Sequence, residues 1–309
     1  MKERPRRISL LGLGAIGVLV VLCGVAVAAW LTTTRTAVAP VPLPTSGPVP
    51  SFSHVYLIVL ENRPSKDVIG DRDAPTINDL ARRGALATNY HSVGRPSQPN
   101  YLALVSGSTQ GVADDGVHDL DAMTLADHLE AKGRSWAVSA ENLPAGCFTG
   151  QNASGGTDGP GTYVRKHQPF ISFTSVSGNA ARCASHLHDL STFDPAAADF
   201  QLIVPNLCHD AHDCPLRDAD AWLAGFVPRI LGSAAFRDGG VLFITFDEAD
   251  LDTDHVAMLA LGAGVQPGTQ SADARTHYAW LRTVEDAWGL GCLANSCTAG
   301  NLSGLFTAP

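Results

Sequence analysis

Apolar positions in this chain fall either into unbroken runs or into runs with a helical period. His54-Val55-Tyr56-Leu57-Ile58-Val59-Leu60, Phe200–Val204, Val241–Phe246 and Val256–Leu261 are continuous apolar stretches of strand length, and Trp136–Ser139 is a shorter one. A strand covered on both faces has no polar side to show, so such runs predict buried strands of a parallel sheet. Between them, Thr76–Arg83 ending at Gly84, Thr124–Lys132 closed by Gly133, Ala219–Leu231 with a kink at Pro228, and His277–Trp288 read as helices. A further short helix is predicted at Ser97–Ser106, with Pro99 suited to its first turn and Gly107 to its end. Strand–helix alternation over this length predicts an α/β fold, a doubly wound and mostly parallel sheet flanked by helices. Residues 142–182, rich in Gly, Ser, Thr and Asn, interrupt the pattern and read as a long functional loop region.

The start of the chain has a different pattern. Lys2, Arg4, Arg6 and Arg7 precede 23 residues without a charge, Ile8 to Trp30. That length spans a bilayer, and the flanking cations put the N-terminus on the cytoplasmic side. Ala26-Val27-Ala28 has the small-x-small form of a cleavage site, so residues 1–30 are either a membrane anchor or a signal peptide. Residues 31–50, with Pro40, Pro42, Pro44, Pro48 and Pro50, read as an extended linker, leaving 51–309 as the catalytic domain. Either way the domain is expected outside the cytoplasm, held at the membrane or secreted.

Charge narrows the partners. The net charge is −9, and because residues 1–35 carry +4 the remainder carries −13. An acidic domain argues against nucleic acid as a partner and suits carboxylates gathered around cations. The six cysteines beyond Cys23 are an even number in an exported domain and read as disulfides. Six cysteines allow 15 pairings; close spacing favours Cys208–Cys214 and Cys292–Cys297, which leaves Cys147–Cys183. Zinc thiolate sites are the rival reading, but the sequence holds no Cys-x-x-Cys pair.

Ligands in open α/β sheets bind at the carboxyl ends of the strands. Here three such ends carry metal-type side chains: Glu61-Asn62, the stretch Pro205–Asp213 with Asp210 and His212, and Asp247-Glu248. Brought together they make a strongly self-repelling pocket unless a divalent cation neutralises it. Ser97 opens its helix beside unpaired backbone N–H groups and the positive end of the helix dipole, a place that holds a phosphate. A metal at its oxygen makes the hydroxyl a nucleophile, so the phosphoryl group is expected on Ser97 before water releases it. Asn100 and the nearby N–H groups are expected to stabilise the phosphoryl oxygens.

These residues carry a resemblance. The strand leading to Glu61-Asn62, the Pro-Ser-x-Pro-Asn-Tyr-Leu-Ala-Leu-x-Ser-Gly stretch at 96–107, Pro205-Asn206-x-Cys-x-Asp-x-His at 205–212, Ile244–Glu248 and His277-Tyr278-x-x-Leu281-Arg282-Thr283-x-Glu285-Asp286 together resemble the bacterial phosphoesterase family. That family, within the alkaline phosphatase superfamily, contains phospholipases C, acid phosphatases and secreted phosphatidylinositol 3-phosphatases, and the likeness is strongest to the short secreted acid phosphatases. It implies an alkaline-phosphatase-like fold and an enzyme that hydrolyses a phosphate monoester, possible substrates including a phosphoinositide or another lipid headgroup. It implies Ser97 as nucleophile, with Glu61, Asn62, Asp247 and Glu248 joining Ser97 around one divalent metal. Asp210, His212 and His277 suit a second metal or a phosphate contact. His167, within Lys166-His167-Gln168-Pro169-Phe170, is a further candidate catalytic residue.

Two departures stand out. Arg95 stands where relatives often have His, and it either binds phosphate or shifts the pH optimum; His209 stands where relatives often have Asn. The rivals are a phospholipase C-type phosphodiesterase and a non-catalytic cell-envelope binding protein. A sulfatase fits less well, because Ser97 lacks the Cys/Ser-x-Pro-x-Arg context.

Overall fold

The computed structural model describes residues 45–153 and 159–307. The anchor or signal segment at 1–30 and most of the linker lie outside them. No helix among the described residues is long and apolar enough to cross a membrane.

The apolar runs form the middle of one sheet. Its strands are β1 (Val55–Leu60), β2 (Ala85–His91), β3 (Trp136–Ala140), β4 (Leu187–Asp189), β5 (Phe200–Val204), β6 (Val241–Phe246), β7 (His255–Gly262), β8 (Thr269–Ser271) and β9 (Arg275–Thr276). They lie in the order β4-β3-β5-β1-β6-β7-β2-β8, with β9 also paired to β2. β1 is central and parallel to both neighbours, with Val55 opposite Phe200 on one side and Val241 on the other. Every residue of β1, β5 and β6 is buried, as continuous apolar runs require when helices cover both faces.

The sheet is mixed, not uniformly parallel: β7 runs antiparallel to both β6 and β2. The reason is chain length. Only residues 247–254 join β6 to β7, and a parallel return needs a crossover of about a dozen residues or more. Because β7 reverses direction twice over, β2 points the same way as β6, and its end delivers the chain to Ser97 at the edge where β1, β5 and β6 also end. β2 itself escapes the apolar pattern, since it contains Thr88 and Asn89 and follows a helix after one residue, Gly84. A Cβ at Gly84 would lie 2.2 Å from the Ala260 carbonyl oxygen, so only glycine allows that turn against β7.

The main helices are α1 (Pro75–Arg83), α2 (Ser97–Ser106), α3 (Leu125–Ala131), α4 (Leu216–Leu231) and α5 (His277–Trp288). Asp220 of α4 caps α1, accepting from the backbone N–H groups of Thr76 and Ile77 at 3.0 and 2.8 Å. α2 is buried along its whole length and ends at Gly107, with φ +68° and the Leu293 carbonyl 2.0 Å from where a Cβ would sit. α4 continues through Pro228 and begins three residues earlier than its periodicity suggests, directly after Pro215.

The stretch at 45–50 is docked, not free. Gly47 donates to Asn301 Oδ1 at 3.2 Å and accepts from its amide at 2.7 Å, and Val49 packs against the core. These contacts join the end of the linker to the domain. The three disulfides are Cys147–Cys183, Cys208–Cys214 and Cys292–Cys297, with Cα separations of 5.5, 4.7 and 5.0 Å. They point to an extracytoplasmic or secreted protein.

Candidate active site

Three adjacent strands bring three carboxylates to one edge. Glu61 follows β1, Asp247 follows β6, and Asp210 lies in the loop after β5. The backbone knits them: Glu61 N–H donates to the Asp210 carbonyl at 2.8 Å and Asn62 N–H to Asp247 Oδ1 at 3.1 Å. The residues just after Glu61 and Asp210 are non-glycines in left-handed backbone, Asn62 with φ 52° and Ala211 with φ 78°. Strain of this kind persists where the surrounding structure holds it, commonly at functional sites.

Ser97, the first residue of α2, donates its hydroxyl to Glu61 Oε2 at 3.0 Å. One turn on, the Tyr101 hydroxyl donates to Glu61 Oε1. The His167 ring stacks on Tyr101 with centroids 5.1 Å apart. Its Nε2 lies 3.2 Å from Glu61 Oε1 and its Nδ1 lies 3.2 Å from Asp210 Oδ2. All five groups are buried. His167 reaches this position from the long loop region. That region is pinned by buried Arg165, which donates to the carbonyls of Thr149, His118 and Ile171 at 2.7, 2.8 and 3.1 Å.

The electrostatics are those of a site that wants a cation. Burial, then the charges of Asp247 and Asp210, push Glu61 well above the usual carboxylate range. Burial raises Asp210 in the same way. It also lifts Asp247 to about 6, against the amides of Asn62 and Glu248 that hold it down. Burial and the neighbouring Asp247 charge lift Glu248 to about 7. Burial, reinforced by the Lys166 and His212 charges, keeps His167 neutral. Both ring nitrogens of His167, Asp210 Oδ2, Asp247 Oδ2 and Glu248 Oε2 are buried without a hydrogen-bond partner. Buried polar atoms are nearly always partnered; five of the thirteen unpartnered ones among the described residues are in this cluster. Ligand atoms of Glu61, His167 and Asp210 lie within 4.8 Å of one another, as one metal ion requires. The donor set of carboxylates and imidazole suits a divalent ion.

Not every residue expected at this centre faces it. His277 opens α5, but both its ring nitrogens are taken: Nε2 donates to the Asp247 backbone carbonyl at 2.6 Å and Nδ1 accepts from the Tyr90 hydroxyl at 3.1 Å. Burial pulls it down to about 4. It is a neutral brace behind Asp247 with no lone pair left for a metal. The Asn100 amide is likewise engaged. Its oxygen accepts from Val93 and Gly94 N–H at 2.9 and 3.1 Å, and its NH2 donates to the carbonyls of Gly94 and Pro96 at 2.9 and 3.3 Å. It shapes the loop before Ser97 and has no donor left for a phosphoryl oxygen. Arg95 points to the opposite loop: its guanidinium donates to the carbonyls of Ala249, Asp250 and Thr253, and lies 3.7 Å from Glu248 Oε2. It ties the serine loop to the β6–β7 connection.

His212 lies at the rim, 5.8 Å from the His167 ring and held by Asp213 at 2.6 Å; its backbone N–H donates to Asp210 Oδ1 at 2.8 Å. Asn62 meets Asp247 through its backbone. His209 pairs with Glu141 at 2.8 Å, on the side facing Trp222. The residues that sequence reasoning missed are Tyr101, Lys166 and Asp115. Lys166 was detectable only as the cation next to His167.

Carboxylates at the ends of the central strands, an imidazole from the long loop region and a serine at a helix start meet on a fold shared with a protein of the alkaline phosphatase superfamily. The structure is similar to that of an alkaline phosphatase superfamily protein from Vibrio parahaemolyticus, with a TM-score of 0.52 at 13% identity over 84% of this chain and 71% of the other. The phosphoesterase family model matches residues 64–291, and the chain belongs to that family. It is 32% identical to a phosphatidylinositol-3-phosphatase of Mycobacterium tuberculosis, over 89% of this chain and 88% of that protein. It is 30% identical to an acid phosphatase of Aspergillus fumigatus over 82% of this chain, where it spans only 58% of the longer fungal protein.

Proposed function

We propose that this protein is an extracytoplasmic, metal-dependent phosphomonoesterase that works through a phosphoserine at Ser97. The observation that carries the reading is the Ser97 hydroxyl, 3.0 Å from the buried Glu61 carboxylate, within a cluster of orphaned ligand atoms. Glu61, Asp210 and His167 would hold one divalent ion, with Asp247 and Glu248 supplying further oxygens. When bound, the ion neutralises the carboxylates and acts as a Lewis acid toward a phosphoryl oxygen.

The chain's own groups do the rest. The Ser97 proton passes to Glu61 Oε2 as Oγ attacks phosphorus; the Oγ–P bond forms and the bond to the leaving oxygen breaks, that oxygen taking a proton from solvent. The Glu61 proton returns to Oγ when the phosphoserine is hydrolysed. The amides at the start of α2 face the added charge on the phosphoryl oxygens. Water then cleaves the Oγ–P bond, releasing inorganic phosphate and restoring the serine. His277 and Asn100 position Asp247 and the serine loop. A phosphoinositide or other lipid phosphate monoester is the substrate class suggested by the mycobacterial relative.

Ser97→Ala is expected to lower aryl phosphate hydrolysis by at least about a thousandfold. The reading fails if that variant keeps its activity. Phosphate release from monoesters, with diesters left intact, separates this activity from a phospholipase C-type reaction.

A further inference from the structure

The loop joining α2 to α3 lays Asp115 across the start of α2. Asp115 Oδ1 accepts from the backbone N–H of Gln98, the residue after Ser97, at 3.0 Å. Its other oxygen meets Lys166 Nζ, also at 3.0 Å. Lys166 is largely buried, with 11% of its side chain exposed. Its neighbour His167 contacts both Glu61 and Asp210, and the Lys166 charge bears on Glu61, Asp210, Asp247 and Glu248 alike. A first-turn amide and an ammonium group beside the nucleophile are the donors a phosphoryl group would use. In this structure a carboxylate has them.

We infer that Asp115 is a built-in placeholder for the phosphoryl group, occupying Lys166 and the Gln98 amide until substrate or inorganic phosphate displaces it. The inference rests on reading Ser97 as the phosphoryl acceptor and adds the groups that grip the anion and the residue that competes with it. Displacement needs only the Asp115 side chain to turn; the backbone on either side stays held by the Gln98 side-chain amide at the Asp114 and Gly116 carbonyls. Asp115 is 29% exposed, so its charge can turn to water. A cavity of about 110 Å³ adjoins it, lined by Asp115, Val117, Gln151 and Lys166 among others. The loop also bends at Gly111, with φ +75° and open space where a Cβ would be. A carboxylate that competes for the same donors weakens the grip on phosphate and so speeds release of the product. A carboxylate that only caps α2 does neither.

The sign of one substitution separates these roles. Asp115→Asn keeps an oxygen for Gln98 N–H but removes the charge opposed to phosphate. Inorganic phosphate is titrated by calorimetry into the full-length chain in detergent, loaded with the divalent cation that restores activity after chelation. Melting temperatures are read alongside. Asp115→Asn and Asp115→Ala are expected to bind phosphate about fivefold or more tightly than the wild type, the size of one partly buried ion pair. Lys166→Ala is expected to bind it at least about tenfold more weakly, and Asp115→Asn should then give no gain in the Lys166→Ala background. Unchanged or weaker binding in both Asp115 variants overturns the inference, as does a failure of phosphate to bind any variant. If phosphate binds in this pattern but Ser97→Ala still hydrolyses aryl phosphate, the nucleophile assignment falls and the placeholder stands.

Discussion

Two buried glutamates in this molecule make opposite use of their burial. Glu285, in α5, accepts from the Leu293 backbone N–H at 2.8 Å and from the Ser296 hydroxyl at 2.6 Å, fixing the turn that carries Cys292 and Cys297. Burial lifts it to about 7, yet each oxygen has a donor and the charges of Arg282 and Asp286 bear on it in opposite senses. Glu61 is as deep and its oxygens also have donors, Ser97 and Tyr101, but its neighbours are Asp247, Asp210 and a neutral His167, whose own ligand atoms are orphaned. Two like charges about 4 Å apart repel by about 4 kcal/mol at an effective dielectric near 20. Burial of an acid is therefore not itself a sign of function. Crowding of acids without enough donors is, because the fold tolerates it only if something else neutralises the site.

The sharpest way to break this contrast is to neutralise each glutamate in turn. Glu61→Gln is expected to lower hydrolysis by about a thousandfold and to weaken divalent metal binding by about a hundredfold or more, measured by competition with a chelator. The metal-free form of that variant should melt no lower than the metal-free wild type, since an uncompensated buried charge is gone. Next in size, Arg95→Ala is expected to lower kcat/KM by about ten- to a hundredfold and to weaken metal binding, by freeing the loop that carries Glu248. Arg95→Lys should recover little, because one ammonium group cannot span three carbonyls. Glu285→Gln should leave KM and metal affinity unchanged and destabilise by about 1–2 kcal/mol in denaturant unfolding.

The smallest expected effect is in pH. Asp247 and Glu248 are raised in the folded, metal-free protein, to about 6 and about 7 from ordinary values of 3.8 and 4.5. Between those limits the folded state binds more protons than the unfolded state, so the metal-free protein is most stable below pH 4 on this account and loses stability as pH rises to 7. Bound metal should abolish the slope. Melting curves at pH 4 to 8, with and without chelator, measure it; a metal-free protein that grows more stable over this range would show that the carboxylates are compensated by the protein.

The legible part of the molecule was the part built from repeating pattern. β1, β5 and β6 could be read because strands buried on both faces have no polar positions, and Glu61, Asp210 and Asp247 stand where those runs stop. The disulfide spacings were equally plain. What the pattern could not give is side-chain direction. His277 begins a helix in a suggestive motif, but only the folded chain shows its ring bonded to Tyr90 and a carbonyl. Asn100 lies one turn from Ser97 and turns back toward its own loop. Lys166 and Asp115 are 51 residues apart in two irregular segments whose meeting no periodicity encodes. β2 was missed because half its length is polar at the point where it leaves the core.

The Cys147–Cys183 bridge encloses the segment that bears Arg165, Lys166 and His167. The sheet supplies Glu61 and Asp247 by hydrogen bonding and apolar burial alone, whereas Asp210 lies inside the Cys208–Cys214 bridge. The histidine and the lysine come from a segment whose ends are joined by oxidation. The parts of the centre thus mature on different clocks: Glu61 and Asp247 when the core closes, Asp210, Lys166 and His167 when two thiol pairs are oxidised. A chain still in a reducing compartment would hold Glu61 and Asp247 in place before the bridges around Asp210, Lys166 and His167 had closed.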